Sequence, residues 1–163
     1  MARIEATTHI EAEPQHVWDV LVDWEGQARW MRDAHSVTVV SPHREGVDVT
    51  LRCRTDIVGG LRGAHRPGGS LLMVTDDMVV TEWEEPRIIG IRHLGRVIRG
   101  VGAFELAPTA DGTHFTWWEE IDVPLGALGE AVTTVGVVPV ARRVFRASLA
   151  GLKRVCESTS VRP

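Results

Sequence analysis

Residues 139 to 157, PVARRVFRASLAGLKRVCE, constrain the fold more than any other stretch, because only here do apolar side chains hold helical phase over a long run. At about 100° per residue, Ala141, Val144, Phe145, Ser148, Leu152 and Val155 fall on one face, and Arg142, Arg143, Arg146, Lys153 and Arg154 on the other. A helix so one-sided must lay its apolar face on something broad and apolar, and the chain before it reads as strand from residue 34 onward. The centre of that face carries Ala141 and Ser148, small side chains where a dense core would place Leu or Phe. Close packing of the helix on a sheet and a hollow left for a ligand both account for them.

At 163 residues the chain is expected to form one domain, 1–163, with a core of its own. A formal charge of -4 leaves no basic footprint, so nucleic acid is not an expected partner. Cys53 and Cys156 lie far apart with no CxxC pattern, and are read as reduced core thiols of a cytoplasmic protein. The opening MARIEATTHIEAEP lacks an apolar signal-peptide core, and no run approaches the ~20 apolar residues of an integral membrane segment.

Taken in order, RIEATTHIE alternates, with Ile4, Ala6, Thr8 and Ile10 on one side of a half-buried strand. Pro14 then opens a helix whose stripe is Val17, Trp18, Leu21 and Val22, and a second short helix is expected from about Gln27 to Met31. In VDVTLRCRT the period is two, which puts Val47, Val49, Leu51 and Cys53 on one face. Residues 59 to 70, with five glycines and a proline, suit only a loop or hairpin connection. Four further strands follow, LLMVTDDMVVTEW, RIIGIRHLG, IRGVGAFELAP and THFTWWEEIDV, separated by the turn signals EEP and ADG. Their parities point Ile89, Ile91 and His93 inward, then Gly100, Gly102, Phe104 and Leu106, then Phe115, Trp117, Glu119 and Ile121. The last helix is expected to begin after Gly129 and to kink at Pro139.

The order is one strand, two short helices, six antiparallel strands and one long helix. The run VVTEWEEPRIIGIRHLGRVIRGVGAFELAPTADGTHFTW, the terminal VPVARRVFRASLAGLKRVCE and the opening EAEPQHVWDVLVDWEGQARWM resemble the polyketide cyclase/dehydrase and lipid-transport branch of the START-like (SRPBCC, birch-allergen-like) superfamily. The resemblance covers nearly the whole chain. It implies an α+β helix-grip fold, in which a seven-stranded curved antiparallel sheet wraps around a long C-terminal helix and two short N-terminal helices close one end. It also implies a cavity between sheet and helix.

The inward parities then name the lining. Trp30, Ile89, Ile91, Phe104, Phe115, Trp117 and Val144 would supply apolar walls, and Gly102, Ala141 and Ser148 would leave the space. Two ionisable groups, His93 and Glu119, share the inward parity, and a carboxylate in such a place needs a partner or a raised pKa. Thr8, beside the last strand, is a candidate partner for Glu119. No catalytic residue is assigned, and no cofactor is implied. The seven histidines include no HxxxH or HxH spacing, so no metal site is expected. Trp118 alternates outward, and with Val80, Ile88, Val101 and Ala103 it would form an apolar strip on the convex face, a surface on which a homodimer would form.

These readings lead first to binding or transport of a hydrophobic small molecule such as a lipid, polyketide or isoprenoid. The alternative is a polyketide aromatase/cyclase that assists aldol cyclisation and dehydration. Relatives with that activity place Tyr, Arg, Ser and Trp in the cavity, and this chain has no tyrosine. The third reading is an interaction module with a filled core.

Overall fold

The computed structural model describes residues 2–56, 73–95, 98–122 and 138–159. Its strands are β1 (Ala2–Ile10), β2 (Ala34–Val39), β3 (Thr50–Asp56), β4 (Met73–Glu84), β5 (Ile88–His93), β6 (Gly100–Thr109) and β7 (Gly112–Ile121). Helix α1 (Pro14–Val22) and a 3-10 turn (Glu25–Arg29) follow β1, and helix α2 (Val138–Thr159) comes last. The strands form one seven-stranded sheet, order β1-β7-β6-β5-β4-β3-β2, with antiparallel pairing throughout. This is the curved sheet and terminal helix expected of a helix-grip fold. The Gly-rich stretch 59–70 and the expected helix start after Gly129 lie outside the described residues.

Alternation explains the elements. In β1, Ile4, Ala6 and Ile10 are buried while Arg3, Glu5 and Thr7 face water. Inward parity holds for Ile89 and His93 on β5, for Phe104 and Leu106 on β6, and for Phe115 and Trp117 on β7, all of them buried. The second short helix is a 3-10 turn at Glu25–Arg29, two residues earlier than the apolar pattern suggested. Val47 is 51% exposed and Asp48 takes φ 66, so the regular strand starts only at Thr50. A register shift between Val80 and Glu82 changes the parity of β4. Val80 therefore faces the core with no exposure, instead of joining the convex strip, and Trp83 beyond the bulge also turns inward to pack edge-on against Trp18 at 5.0 Å.

The convex face is more polar than the strip of apolar parities implied. The Trp118 indole N–H donates to Glu105 Oε1 at 2.6 Å, and the Arg3 guanidinium lies 4.5 Å above its ring. Arg3 in turn pairs with Glu5 and Glu120.

Helix α2 buries Val138, Val144, Phe145, Ser148, Leu149, Gly151, Leu152 and Cys156. Relative to the expected face, Leu149 and Cys156 join it, while Ala141 and Val155 stay half-buried. Its main neighbour in the sheet is β1. Lys153 Nζ donates to the His9 carbonyl at 2.8 Å, and Glu157 accepts from the Glu11 amide at 2.9 Å, so the C-terminal half is pinned to that edge.

The small residues of this helix serve close packing. A Cβ on Gly151 would meet the Trp30 carbonyl oxygen at 2.6 Å, and Ser148 Oγ accepts the Arg32 amide at 2.8 Å. Gly102 plays the same part in the sheet, where a Cβ would meet Glu119 Cγ at 2.8 Å. Of the two explanations of the small side chains, these distances favour close approach of backbone over a hollow.

Candidate functional site

Aromatic rings fill the half of the interior nearest β1. Trp117 stacks on Phe145 with centroids 3.7 Å apart and an 11° tilt, and Phe104 touches Trp117, Phe115 and Trp30 at 5.4, 5.7 and 6.2 Å. A cavity of about 110 Å³ remains at the other end, where β2 to β5 curl toward the 3-10 turn. Its apolar walls are Trp24, Met31, Val37, Leu51, Met78, Ile91, Ile98, Phe104, Trp117 and Phe145. Its polar lining includes Gln27, Asp33, Thr55, Asp76, His93 and Glu119, together with the thiol of Cys53.

Five residues named from the sequence meet there: Ile91, His93, Phe104, Trp117 and Glu119. The other seven do not line it. Trp30, Ile89 and Phe115 are packed core, Gly102 lies beneath Glu119, and Ser148 is bonded to the Arg32 amide. Val144 is buried and Ala141 half-buried on α2, whose one contribution to the described lining is Phe145. The cavity is displaced because α2 packs chiefly on β1, at the opposite edge of the sheet from β2 and β3. Thr8 is not a partner for Glu119 either. The register sets Thr8 against Phe115 and Ile4 against Glu119.

The polar end is built around a residue the sequence reading passed over. Asp76 and His93 each keep only 4% side-chain exposure, and His93 Nδ1 lies 2.6 Å from Asp76 Oδ2. In the neutral ring, Nδ1–H donates to the carboxylate oxygen, which fixes the tautomer and leaves Nε2 an acceptor. Neither His93 Nε2 nor Asp76 Oδ1 has a hydrogen-bond partner among the described residues. The sequence held part of the signal for Asp76. Of two adjacent aspartates in a strand one must face inward, and Asp77 faces out, where it pairs with Arg52 at 2.7 Å.

Burial alone would lower the His93 pKa, but the hydrogen bond that its ring donates to Asp76 and the charge of Glu119 outweigh it and leave it raised. Glu119 accepts a 3.2 Å bond from the Trp117 indole. Burial raises its pKa to about 7, against the opposing pull of His93. Burial likewise pushes the Cys53 thiol up to about 11, so it is an unreactive wall of the site and not a nucleophile. A buried acid and base that share protons near neutral pH, beside an apolar space, can hold the polar end of a ligand or move a proton to and from it. Among the described residues no group of three or more His, Cys, Asp or Glu is placed to hold a metal ion, and no helix is long and apolar enough to cross a membrane.

A curled antiparallel sheet closed by a terminal helix, with a cavity between them, defines the START-like helix-grip class. The family described as Polyketide cyclase / dehydrase and lipid transport matches residues 1–157. The chain belongs to that family.

No curated protein matches the sequence. Among solved structures, TTHA0849 from Thermus thermophilus superposes with a TM-score of 0.72 at 18% identity, covering 98% of this chain and 99% of that one. A START superfamily protein from Mycobacterium smegmatis gives 0.71 at 13% identity, over 96% and 98%. The Zhui aromatase/cyclase from Streptomyces sp. R1128 gives 0.70 at 17% identity, over 96% and 93%. At these identities the likeness establishes the shared fold.

Proposed function

We propose that this protein binds a small hydrophobic molecule in the cavity, with the polar end of the ligand at His93 and Glu119. The observation that carries this reading is an apolar space ending in buried polar atoms that lack partners among the described residues, His93 Nε2 and Asp76 Oδ1. An unsatisfied buried polar group costs about 1–3 kcal/mol. A guest that hydrogen-bonds it recovers that energy.

Size limits the guest. The volume is about 110 Å³, and an apolar cavity of about 150 Å³ accepts benzene. The enclosed part of the ligand is thus at most about one ring or a short branched chain, and a lipid or polyketide would extend out of the cavity. Two free, buried thiols fit a reducing, cytoplasmic setting.

Titration with toluene, followed by tryptophan fluorescence, tests the reading. Toluene is expected to quench, and Leu51→Phe, which fills the space from β3, to abolish the effect in a protein that still unfolds cooperatively. Absence of any effect in the unmodified chain refutes it.

The Asp76–His93 pair favours a second reading, an acid–base enzyme such as an aromatase/cyclase. Asp76 orients the imidazole, Nε2 faces the ligand space, and Glu119 is poised near pH 7. If so, the chain speeds deuterium exchange at the carbon next to the carbonyl of a small bound ketone, and His93→Gln removes that exchange.

A further inference from the structure

The polar end of the cavity has an uneven charge. Its described lining includes Asp33, Asp76 and Glu119 against one imidazole, with no lysine or arginine among those residues. Asp33 already has an interaction of its own. The ligand therefore meets the other three: Asp76 and His93, each 4% exposed with an unpartnered atom among the described residues, and Glu119 beside them.

Protons can be counted over this trio. If His93 carries one, the imidazolium faces two carboxylates; if Glu119 carries it, a neutral imidazole faces one carboxylate. Either way one net negative charge is buried, together with one proton that can move. A ligand carboxylate would add a second negative charge in a place that water reaches poorly, which is costly. An apolar guest leaves the acceptors unmet. A primary ammonium brings three N–H donors and a positive charge, and can take the place of the mobile proton.

On the reading that this cavity binds a small hydrophobic molecule, we infer that its ligand is a small aromatic or branched amine, held as the ammonium by the Glu119 carboxylate and by Nε2 of a neutral His93. The exchange balances: the ammonium enters, one proton leaves the trio to solvent, and the site keeps its one net negative charge, now two carboxylates against the ammonium, with no mobile proton left. The titratable groups facing Glu119 are Asp33 from the segment before β2, Cys53 from β3, Asp76 from β4 and His93 from β5. From α2 the described lining has only Phe145, while Arg142, Arg143 and Arg146 are on its exposed side.

Calorimetric titration of the full chain at pH 7 with benzylamine, benzyl alcohol, toluene and benzoate, in two buffers of different ionisation enthalpy, tests the assignment. Benzylamine is expected to bind about tenfold or more tighter than toluene, benzoate to be weakest, and benzylamine alone to release up to about one proton. Glu119→Gln should cut the benzylamine-to-toluene affinity ratio by about tenfold with toluene affinity little changed, a ratio that a general loosening of the fold would not alter. If toluene or benzyl alcohol binds while benzylamine binds no better, or if benzoate is the tighter ligand, the amine assignment is overturned and small-molecule binding stands. If none of the four binds, the binding reading itself falls.

Discussion

Replacing Glu119 by glutamine isolates the electrostatic character of the cavity in the ligand-free protein. Burial raises this carboxyl from 4.5 to about 7, so the folded state holds its proton more tightly than the unfolded chain does. The stabilisation this confers is complete below pH 4.5 and is lost as pH rises through 7. For a single group with those two values, linkage gives a loss of about 2.5 kcal/mol between pH 5 and pH 8. His93 acts in the same direction, because its pKa is raised as well and its contribution fades as pH climbs through the folded value. Glutamine keeps the shape and can still accept from the Trp117 indole, but it cannot ionise. Urea unfolding of both proteins at pH 5, 6, 7 and 8 should therefore show the parent losing stability across this range and Glu119→Gln losing about 2.5 kcal/mol less. At pH 8 the variant should be the more stable of the two. Parallel stability profiles, or a parent that gains stability from pH 5 to 8 relative to the variant, would refute the claim that this carboxyl is held in a desolvated cavity.

Gly151→Leu should destabilise the fold by about 1–3 kcal/mol or more, since even a Cβ there would meet the Trp30 carbonyl oxygen at 2.6 Å; thermal unfolding measures it, and an unchanged midpoint would mean that α2 does not seat on the Trp30 backbone. Asp76→Asn should lower the His93 pKa, because burial, which pushes it down, then meets less opposition. An NMR titration of the imidazole reads the shift, and a pKa that stays put would remove Asp76 as the group that holds the ring.

Much of this molecule is legible from local rules. The alternation of β1 and of β5 to β7, the turn residues between them and the one-sided final helix each depend on side chains a few positions apart, and they determined these strands, their inner faces and the element that closes them. His93 and Glu119 were readable for the same reason, since parity alone aims them inward. The location of the empty space was not. It depends on how far α2 settles against β1 and on how Trp117, Phe104 and Phe145 divide the volume, and both are sums over contacts between residues far apart in sequence. Asp76 needed the structure too, because the bulge between Val80 and Glu82 reverses the parity of β4 and only pairing with β5 reveals it. In the unbulged strands the sequence thus determined which side chains face inward, since that follows from strand period and polarity. Tertiary packing decided which of those side chains touch one another and which border a void, since that follows from volume and register across the whole sheet.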